Sequence, residues 1–236
     1  MNNTKILCHR GIHKNIIENT LESFIEVNNY KNNNYKIGIE FDIQITKNNT
    51  IICYHDDNLL RIHNINQNTY DLLDDDIDKL NISKFVDVLQ KLKDMDIFLD
   101  IEIKDIGNNF KLCDEIINIM NSEKIDNYII TSFNDNIIDY ILHNSSLNCG
   151  LIIRGDINPD FTIINNYINL GLKAIIIYKN RINIFDQFKD KLDIYIYTIF
   201  NDIEVDDSKI IQECIKNGIN IITDDIDKTI ENINIK

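Results

Sequence analysis

Short apolar runs alternate with longer amphipathic segments along the chain. Runs such as AIIIY and LIIR are apolar on both faces, which is typical of buried parallel strands. Near Lys84 the apolar residues recur at spacings of three and four, as in a helix with one buried face. The pattern predicts strands at Lys5–Cys8, Lys36–Asp42, Ile97–Ile103, Tyr128–Ser132, Gly150–Arg154, Ala174–Tyr178, Ile194–Thr198 and Ile219–Thr223. It predicts helices near Thr20–Asn29, Lys84–Lys93, Phe110–Asn121, Ile137–His143, Phe161–Asn169, Ile182–Phe188 and Ser208–Asn217.

The order of these elements favours an α/β fold. Strands separated by helices in a chain of 236 residues predict a (β/α)₈ barrel, and a doubly wound open sheet stays open as the alternative. No linker or repeat interrupts the pattern, so we expect a single domain over residues 1–236. Residues 56–83 show no clear helical pattern and are expected to lie over the barrel mouth, the edge where the carboxyl ends of the strands lie.

A hairpin is predicted after the second strand. Only Lys47–Asn49 separate two apolar runs there, whereas a parallel crossover needs a dozen or more residues. The run Ile51–Tyr54 should therefore return antiparallel, through asparagines that tolerate positive φ. A turn centred between Asn48 and Asn49 would place Asp42 opposite His55, and a slip of one residue would turn His55 to the other face.

Two predicted strands alternate polar residues with large apolar residues. In a barrel the apolar face packs on the helices, so the polar face must point inward. Buried carboxylates are costly unless they are neutralised, and Mg²⁺ or Ca²⁺ would suit their oxygen ligands. An antiparallel sheet with one solvated face would show the same alternation and stays open. The residues of the polar face are Glu40, Asp42, Gln44, Asp100, Glu102 and Lys104, of which Glu40, Asp42 and Glu102 are the candidate ligands.

The first strand ends in Cys8-His9-Arg10-Gly11, at the edge where barrel enzymes place their chemistry. Glu18-Asn19-Thr20 follows, and Asn19 or Thr20 is expected to cap the next helix. The three other histidines, His13, His63 and His143, are interpreted as surface residues. Ser132 and Phe133 close the fourth strand, where pocket lining and ordinary packing are equally compatible with the sequence.

Composition narrows the class of function. There are 24 basic and 38 acidic residues, for a net charge of −14, and no basic stripe, so a nucleic-acid partner is not expected. The five scattered cysteines form no C-x-x-C pair and indicate reduced thiols. With no apolar leader or long apolar stretch, we expect a cytoplasmic protein without stable membrane insertion. No P-loop, G-x-S-x-G or G-x-G-x-x-G motif occurs, and the sequence leaves the oligomeric state open.

Four blocks, HRG, ENTLESF, IEFDIQITKNNTIICYHDDNLLR and IEIK, resemble the glycerophosphodiester phosphodiesterase family in order and spacing. Two tail blocks, YTIFN and GINIITDD, also match, so the resemblance spans nearly the whole chain. It implies a (β/α)₈ barrel that uses a divalent cation to hydrolyse glycerophosphodiesters to an alcohol and glycerol 3-phosphate. Position by position, the resemblance implies Glu40, Asp42 and Glu102 as metal ligands, His9 and His55 as acid–base residues, and Arg10 and Lys104 as phosphate contacts.

The chemistry of these side chains agrees with that implication. A cation, an arginine and a lysine would neutralise the nonbridging phosphoryl oxygens. Two imidazoles that titrate near neutral pH could take a proton from the nucleophile and give one to the leaving alkoxide. The sequence leaves open which histidine is the base, and whether the nucleophile is water or the glycerol hydroxyl of the substrate.

Two departures from the family pattern bear on substrate preference. Tyr197 stands where relatives usually carry Trp, and Asp225 follows Asp224 where relatives usually carry Pro. A phosphodiesterase acting on lysophospholipids or headgroup-bearing lipids stays open. A non-catalytic barrel that binds phosphodiesters or a partner protein also stays open, although the intact set of candidate residues disfavours it.

Overall fold

Eight parallel strands close into a barrel in the computed structural model, which describes residues 4–30, 35–123, 125–201 and 207–234. The first strand pairs with both the second and the last, which excludes an open sheet and confirms the predicted (β/α)₈ barrel. One further strand, short and third in the sequence, pairs antiparallel with the second strand. The strands are β1 (Lys5–His9), β2 (Lys36–Ile45), β3 (Ile51–Cys53), β4 (Phe98–Ile103), β5 (Tyr128–Ser132), β6 (Cys149–Ile153), β7 (Ala174–Tyr178), β8 (Asp193–Ile199) and β9 (Asn220–Thr223).

Helices surround the barrel, and every predicted helical segment is confirmed. The segment Ile182–Phe188 is divided between a 3₁₀ turn and a short α-helix. Within the described residues no helix is long and apolar enough to cross a bilayer. The helices are α1 (Leu21–Glu26), α2 (Leu60–His63), α3 (Asp74–Lys79), α4 (Phe85–Leu92), α5 (Asn109–Glu123), α6 (Asp135–Asn144), α7 (Phe161–Leu170), α8 (Phe185–Phe188), α9 (Asp207–Asn217) and α10 (Ile226–Asn234), with 3₁₀ turns at Val27–Tyr30, Thr69–Asp71 and Lys179–Ile184.

The apolar face of β2 packs outward against helices, as the alternation predicts. Phe41 is fully buried between Phe24 of α1 and Phe85 of α4, with ring centroids 5.0 and 6.3 Å away. Since successive side chains on a strand point to opposite faces, this packing turns Glu40 and Asp42 into the barrel.

Residues 56–83, where the sequence shows no clear helical pattern, form an irregular segment that contains two short helices, α2 and α3, and one 3₁₀ turn. With four and six residues, neither helix is long enough to show a helical period in the sequence. The segment packs on the β2–β3 hairpin around its own apolar cluster. The buried members of that cluster are Ile52, Tyr54, Leu59, Leu72, Ile77 and Ile82.

The hairpin is confirmed, but its predicted register is wrong by one residue. Ile43 pairs with Cys53, and the backbone N–H of Tyr54, not His55, donates to the carbonyl oxygen of Asp42 at 3.0 Å. The loop is the three residues Lys47–Asn49, and Asn49 has a φ of 66°. A three-residue loop that ends in a left-handed residue centres the turn on one residue, not between two.

Candidate active site

Three buried carboxylates meet inside the mouth of the barrel. Glu40 and Asp42 come from β2, and Glu102 comes from the adjacent strand β4, where it lies in register with Asp42. Each of the three offers a carboxylate oxygen, and these oxygens lie within 4.8 Å of one another. The inward faces that alternation predicts on two separate strands therefore converge on one point.

The pKa values of two of these carboxyl groups are shifted in opposite directions. Burial, together with the charges of Asp42 and Glu102, raises the pKa of Glu40 well above its usual range. Burial also opposes ionisation of Asp42, but Lys104 and Arg10 outweigh it and lower the pKa of that carboxyl to about 2. The site therefore favours the charged form of Asp42 and disfavours the charged form of Glu40 unless a further positive charge arrives.

Two basic side chains border the carboxylates. Lys104 Nζ lies 2.7 Å from Glu102 Oε1 and 3.5 Å from Asp42 Oδ1. Arg10 Nε lies 3.4 Å from Asp42 Oδ2, while its Nη1 donates to Glu18 at 2.9 Å. Because Arg10 is shared with Glu18, the two basic groups do not balance the three carboxylates.

The donor set fits a hard divalent cation. All three groups offer oxygen, which Mg²⁺ and Ca²⁺ prefer. The Oδ1 atom of Asp42 is buried and has no hydrogen-bond partner among the described residues. An unpartnered carboxylate oxygen beside two further carboxylates can bind a cation, so Glu40, Asp42 and Glu102 are the residues that could hold one.

The His9-Arg10-Gly11 turn folds back over β2. Arg10 and Gly11 both have positive φ, 57° and 80°, and the backbone N–H of Arg10 donates to the carbonyl oxygen of Glu40 at 2.7 Å. A Cβ atom at position 11 would lie 2.6 Å from Ser23 Oγ, so only glycine fits there. This turn aims the side chains of His9 and Arg10 at the carboxylates.

Asn19 holds Asp42 from the side. Its Nδ2 donates to Asp42 Oδ2 at 2.8 Å, and its Oδ1 accepts from the backbone N–H of Asp42 at 3.1 Å. Of the two possible caps of α1, Thr20 is the one used, since its hydroxyl accepts from Ser23 N. The local sequence predicts the helix start but carries no signal that Asn19 reaches a residue 23 positions away.

Each of the two candidate catalytic histidines has a carboxylate on its Nδ1 atom. His9 Nδ1 lies 2.8 Å from Asp224 Oδ1, and His9 Nε2 lies 3.8 Å from Glu40 Oε2. His55 Nδ1 lies 2.7 Å from Asp56 Oδ1. Burial lowers the pKa of His55, although the charge of Asp42 opposes that effect.

Sequence reasoning did not assign Asp56 or Asp224 a role. The available signal for Asp224 was its position directly after the last strand, at the same edge of the barrel as His9. Asp56 also accepts a hydrogen bond from Arg61 of α2, and Arg61 donates to Glu18 as well. Arg61 therefore joins residues 56–83 to the loop that follows β1.

The three remaining histidines lie in three different environments. His13 Nε2 is 3.7 Å from Asp224 Oδ1, so this residue lies beside the site and not on a remote surface. His63 stacks on Tyr54, with centroids 6.0 Å apart. His143, at the end of α6, is exposed and bonds to the carbonyl oxygen of Asp139.

A cleft of about 770 Å³ opens beside the carboxylates, next to Glu102 and Lys104. Its aromatic wall is formed by Phe133, Tyr178 and Tyr197, whose rings meet edge to face. Ser132 also lines the cleft. The cleft can receive a small organic group while the polar end of the same molecule lies at the carboxylates.

Solved structures with the same fold include phosphodiesterases. A glycerophosphodiester phosphodiesterase from Thermotoga maritima has a TM-score of 0.77 at 20% identity, over 98% of this chain and 99% of its own. One from Parabacteroides distasonis has a TM-score of 0.75 at 20% identity, over 98% and 96% of the two chains. A phosphodiesterase from Oleispira antarctica, solved in complex with the product sn-glycerol-3-phosphate, has a TM-score of 0.80 at 13% identity, over 99% and 98%. No curated protein sequence matches the chain.

The family resemblance is confirmed at the level of sequence. The model of the glycerophosphoryl diester phosphodiesterase family matches residues 9–228, from His9 of the first motif to beyond Asp224. This match covers the barrel strands that carry the carboxylates, the basic groups and both histidines. The chain therefore belongs to the glycerophosphoryl diester phosphodiesterase family.

Proposed function

We propose that the chain hydrolyses glycerophosphodiesters to glycerol 3-phosphate and an alcohol at the mouth of the barrel. The observation that carries the proposal is the convergence of Glu40, Asp42 and Glu102, with His9 Nε2 3.8 Å from Glu40 Oε2. Family membership assigns the reaction class, and the site contains groups suited to each part of that reaction.

Glu40, Asp42 and Glu102 would hold a divalent cation, and we propose Mg²⁺ or Ca²⁺. When bound, such a cation supplies positive charge that offsets the negative charge of the phosphoryl group. Two observations support this assignment. The raised pKa of Glu40 indicates a carboxyl group whose negative charge is not balanced, and the Oδ1 atom of Asp42 accepts no hydrogen bond from any described residue and so is available to a cation.

Arg10 and Lys104 would bind the nonbridging phosphoryl oxygens. Burial opposes the charge of Lys104, but Asp42 and Glu102 raise its pKa, so its ammonium group stays charged. Arg10 is held in place by Glu18 and by the turn at Gly11. Both groups are therefore fixed before substrate arrives, which is the condition under which such charges stabilise a transition state best.

His9 and His55 would divide the proton transfers. Since a carboxylate occupies Nδ1 of each ring, Nε2 is the atom left to exchange a proton with substrate. With water as the nucleophile, one Nε2 accepts a proton from the water as the phosphorus–oxygen bond forms. The other donates a proton to the alkoxide as its bond to phosphorus breaks, so the sum is diester and water going to glycerol 3-phosphate and alcohol.

The cleft beside Lys104 would receive the alcohol part of a small-molecule diester. Its aromatic wall offers apolar contacts to such a group. The net charge of −14 disfavours binding to the phosphate backbone of a nucleic acid. We also propose a cytoplasmic location, because all five cysteines are buried and unpaired, as in a reducing compartment.

A metal-titrated assay against a panel of glycerophosphodiesters tests the proposal. Glycerol 3-phosphate should appear with Mg²⁺ or Ca²⁺ and should cease with EDTA. Glu40→Ala and His55→Ala should each lower turnover by about 100-fold or more, with the fold retained by circular dichroism. The matched variant Glu22→Ala, at an exposed position of α1, should behave as wild type. Absence of glycerol 3-phosphate from every diester would refute the proposed function.

A further inference from the structure

The side chain of Gln44 reaches the backbone on both sides of His55. Gln44 is on β2, two residues beyond Asp42, and only 1% of it is exposed. Its Nε2 donates to the carbonyl oxygen of Tyr54 at 2.8 Å and to that of Asp56 at 2.9 Å. These two carbonyl groups belong to the residues that flank His55 in the sequence.

Thr69 fixes the amide of Gln44 in this orientation. Its hydroxyl donates to Gln44 Oε1, and its backbone N–H donates to the carbonyl oxygen of Asp57 at 3.0 Å. Thr69 is fully buried in the 3₁₀ turn that lies within residues 56–83. Since two carbonyl oxygens face one end of the amide and a hydroxyl donor faces the other, only one assignment of oxygen and nitrogen satisfies all partners.

These contacts begin where the strand pairing ends. β3 stops at Cys53, and the last hairpin bond runs from Tyr54 N to the carbonyl oxygen of Asp42. Past that bond, the Gln44 amide continues to tie the returning chain to β2. The backbone of His55 is therefore held by the side chain of Gln44 and not by strand pairing. For this reason His55 can lie at the site although the hairpin register differs from the predicted one.

We propose that Gln44 and Thr69 are positioning residues that set the place of His55 relative to the carboxylates. The inference rests on the proposed role of His55 in hydrolysis. Gln44 shares the inward face of β2 with Asp42, so its amide couples the backbone of His55 to the strand that carries two of the three candidate ligands. Residues 56–83 thus supply, through Thr69, one part of the catalytic geometry.

Gln44→Met keeps the volume of the side chain but removes both donors, and it should lower kcat by at least about 10-fold. The reason is that a correctly placed general acid or base contributes about 10²–10⁴-fold. KM should change by less than about 2-fold, because Arg10 and Lys104 are attached to other segments. Thr69→Val should act in the same direction, and Thr69→Ser, which restores the hydroxyl, should return kcat to near the wild-type value.

A double-mutant cycle separates positioning from general destabilisation. Adding Gln44→Met to His55→Ala should change the residual kcat by less than about 2-fold, since the group that Gln44 positions is already gone. The matched control is Asn220→Leu, at a buried amide that accepts from Lys5 N at 2.8 Å at the opposite end of the barrel. This variant should lower the melting temperature but leave kcat unchanged.

Hydrogen exchange supplies a readout that does not need turnover. Amide exchange in the peptide that covers residues 54–57 should be at least about 10-fold faster in Gln44→Met than in wild type. A wild-type kcat in Gln44→Met, or an equal loss with and without His55, would overturn the positioning role while hydrolysis by the wild type still supports the proposed function. Full turnover in His55→Ala would refute the role of His55 itself and the positioning role with it.

Discussion

The Nδ1 atom of His9 lies 2.8 Å from the Oδ1 atom of Asp224, although 215 positions separate the two residues in the sequence. The contact exists because β1 and β9 are neighbours that close the barrel, and Asp224 directly follows β9. The Asp224 backbone N–H also donates to the carbonyl oxygen of Ile199 at 3.0 Å, which helps to hold the carboxylate at Nδ1 of the imidazole.

Asp224→Asn should lower kcat by about 100-fold with little change in KM. The amide can still accept a hydrogen bond from His9, but it no longer stabilises the ring when it is charged, and acid–base catalysis contributes about 10²–10⁴-fold. Steady-state kinetics against a glycerophosphodiester measures the effect. Asp225→Asn is the matched control, since that side chain accepts from the Lys228 N–H at the start of α10. Equal kinetics in Asp224→Asn and wild type would contradict the role.

Much of the fold can be predicted from the sequence because the signals are local. The strand AIIIY at Ala174–Tyr178 is apolar on both faces, and α4 shows a helical period over eight residues. The short helices α2 and α3 were missed because one turn or so shows no period. The helix α10 was also missed, although its residues Ile226, Ile230 and Ile233 recur at spacings of four and three.

In the candidate site, too, the features that depend on local sequence could be predicted, and those that depend on the packing of distant elements could not. The facing of Glu40 and Glu102 follows from alternation within single strands, which the sequence displays. The partners Asn19 and Asp224 depend on how distant elements pack. The position of Asp224 directly after the last strand indicates its edge of the barrel, but it does not indicate the contact with His9. The register of His55 was wrong by one residue for a related reason, because Asn48 and Asn49 are compatible with more than one turn.

Binding of the cation should release protons from the carboxyl groups that hold it. Burial and the neighbouring carboxylates raise the pKa of Glu40, and burial raises that of Glu102, so the metal-free site binds protons that a cation must displace. Affinity for Mg²⁺ should therefore rise as the pH increases through and above the ordinary titration range of a glutamate carboxyl group. Calorimetry in two buffers of different ionisation enthalpy counts the protons released.

Glu40→Gln should reduce that proton release and weaken Mg²⁺ binding, since it removes both a ligand and a titrating group. The exposed Glu22→Gln change should alter neither quantity. An affinity for Mg²⁺ that does not vary with pH would contradict the protonated state of the metal-free site.

Asp100 should make the metal-free protein less stable as the pH rises. Burial, opposed by the Thr131 hydrogen bond and reinforced by Glu102, raises the pKa of Asp100 to about 7. Its carboxyl group therefore binds more protons in the folded than in the unfolded state, and stability falls as the pH rises between the unfolded and folded values. In EDTA, the melting temperature of Asp100→Asn relative to wild type should increase from pH 5 to pH 8. Asp75→Asn, at an exposed position, should show no such trend, and a constant difference for Asp100→Asn would refute the argument.

Phe41→Ala should lower the free energy of unfolding by about 3–5 kcal/mol, the usual cost of removing a fully buried phenyl ring. The ring packs between Phe24 and Phe85 and holds β2 against two helices. Chemical denaturation measures the change. Phe110→Ala, at a side chain that is 54% exposed, should cost far less, and similar losses in both variants would contradict the assigned packing.

Tyr197 should set how well the cleft accepts large alcohols. Its ring contacts Phe133 and Tyr178, and its hydroxyl donates to the carbonyl oxygen of Ile153 at 3.2 Å. Tyr197→Ala removes the middle of the aromatic wall, and each such aromatic contact is worth about 0.5–1.5 kcal/mol. KM for a glycerophosphodiester with a bulky alcohol should therefore rise by about 10-fold. KM for the glycerophosphodiester of methanol, and kcat for both substrates, should stay near the wild-type values. Tyr197→Phe keeps the ring and should preserve both KM values, whereas an equal rise for the small and the bulky alcohol would place the alcohol outside this cleft.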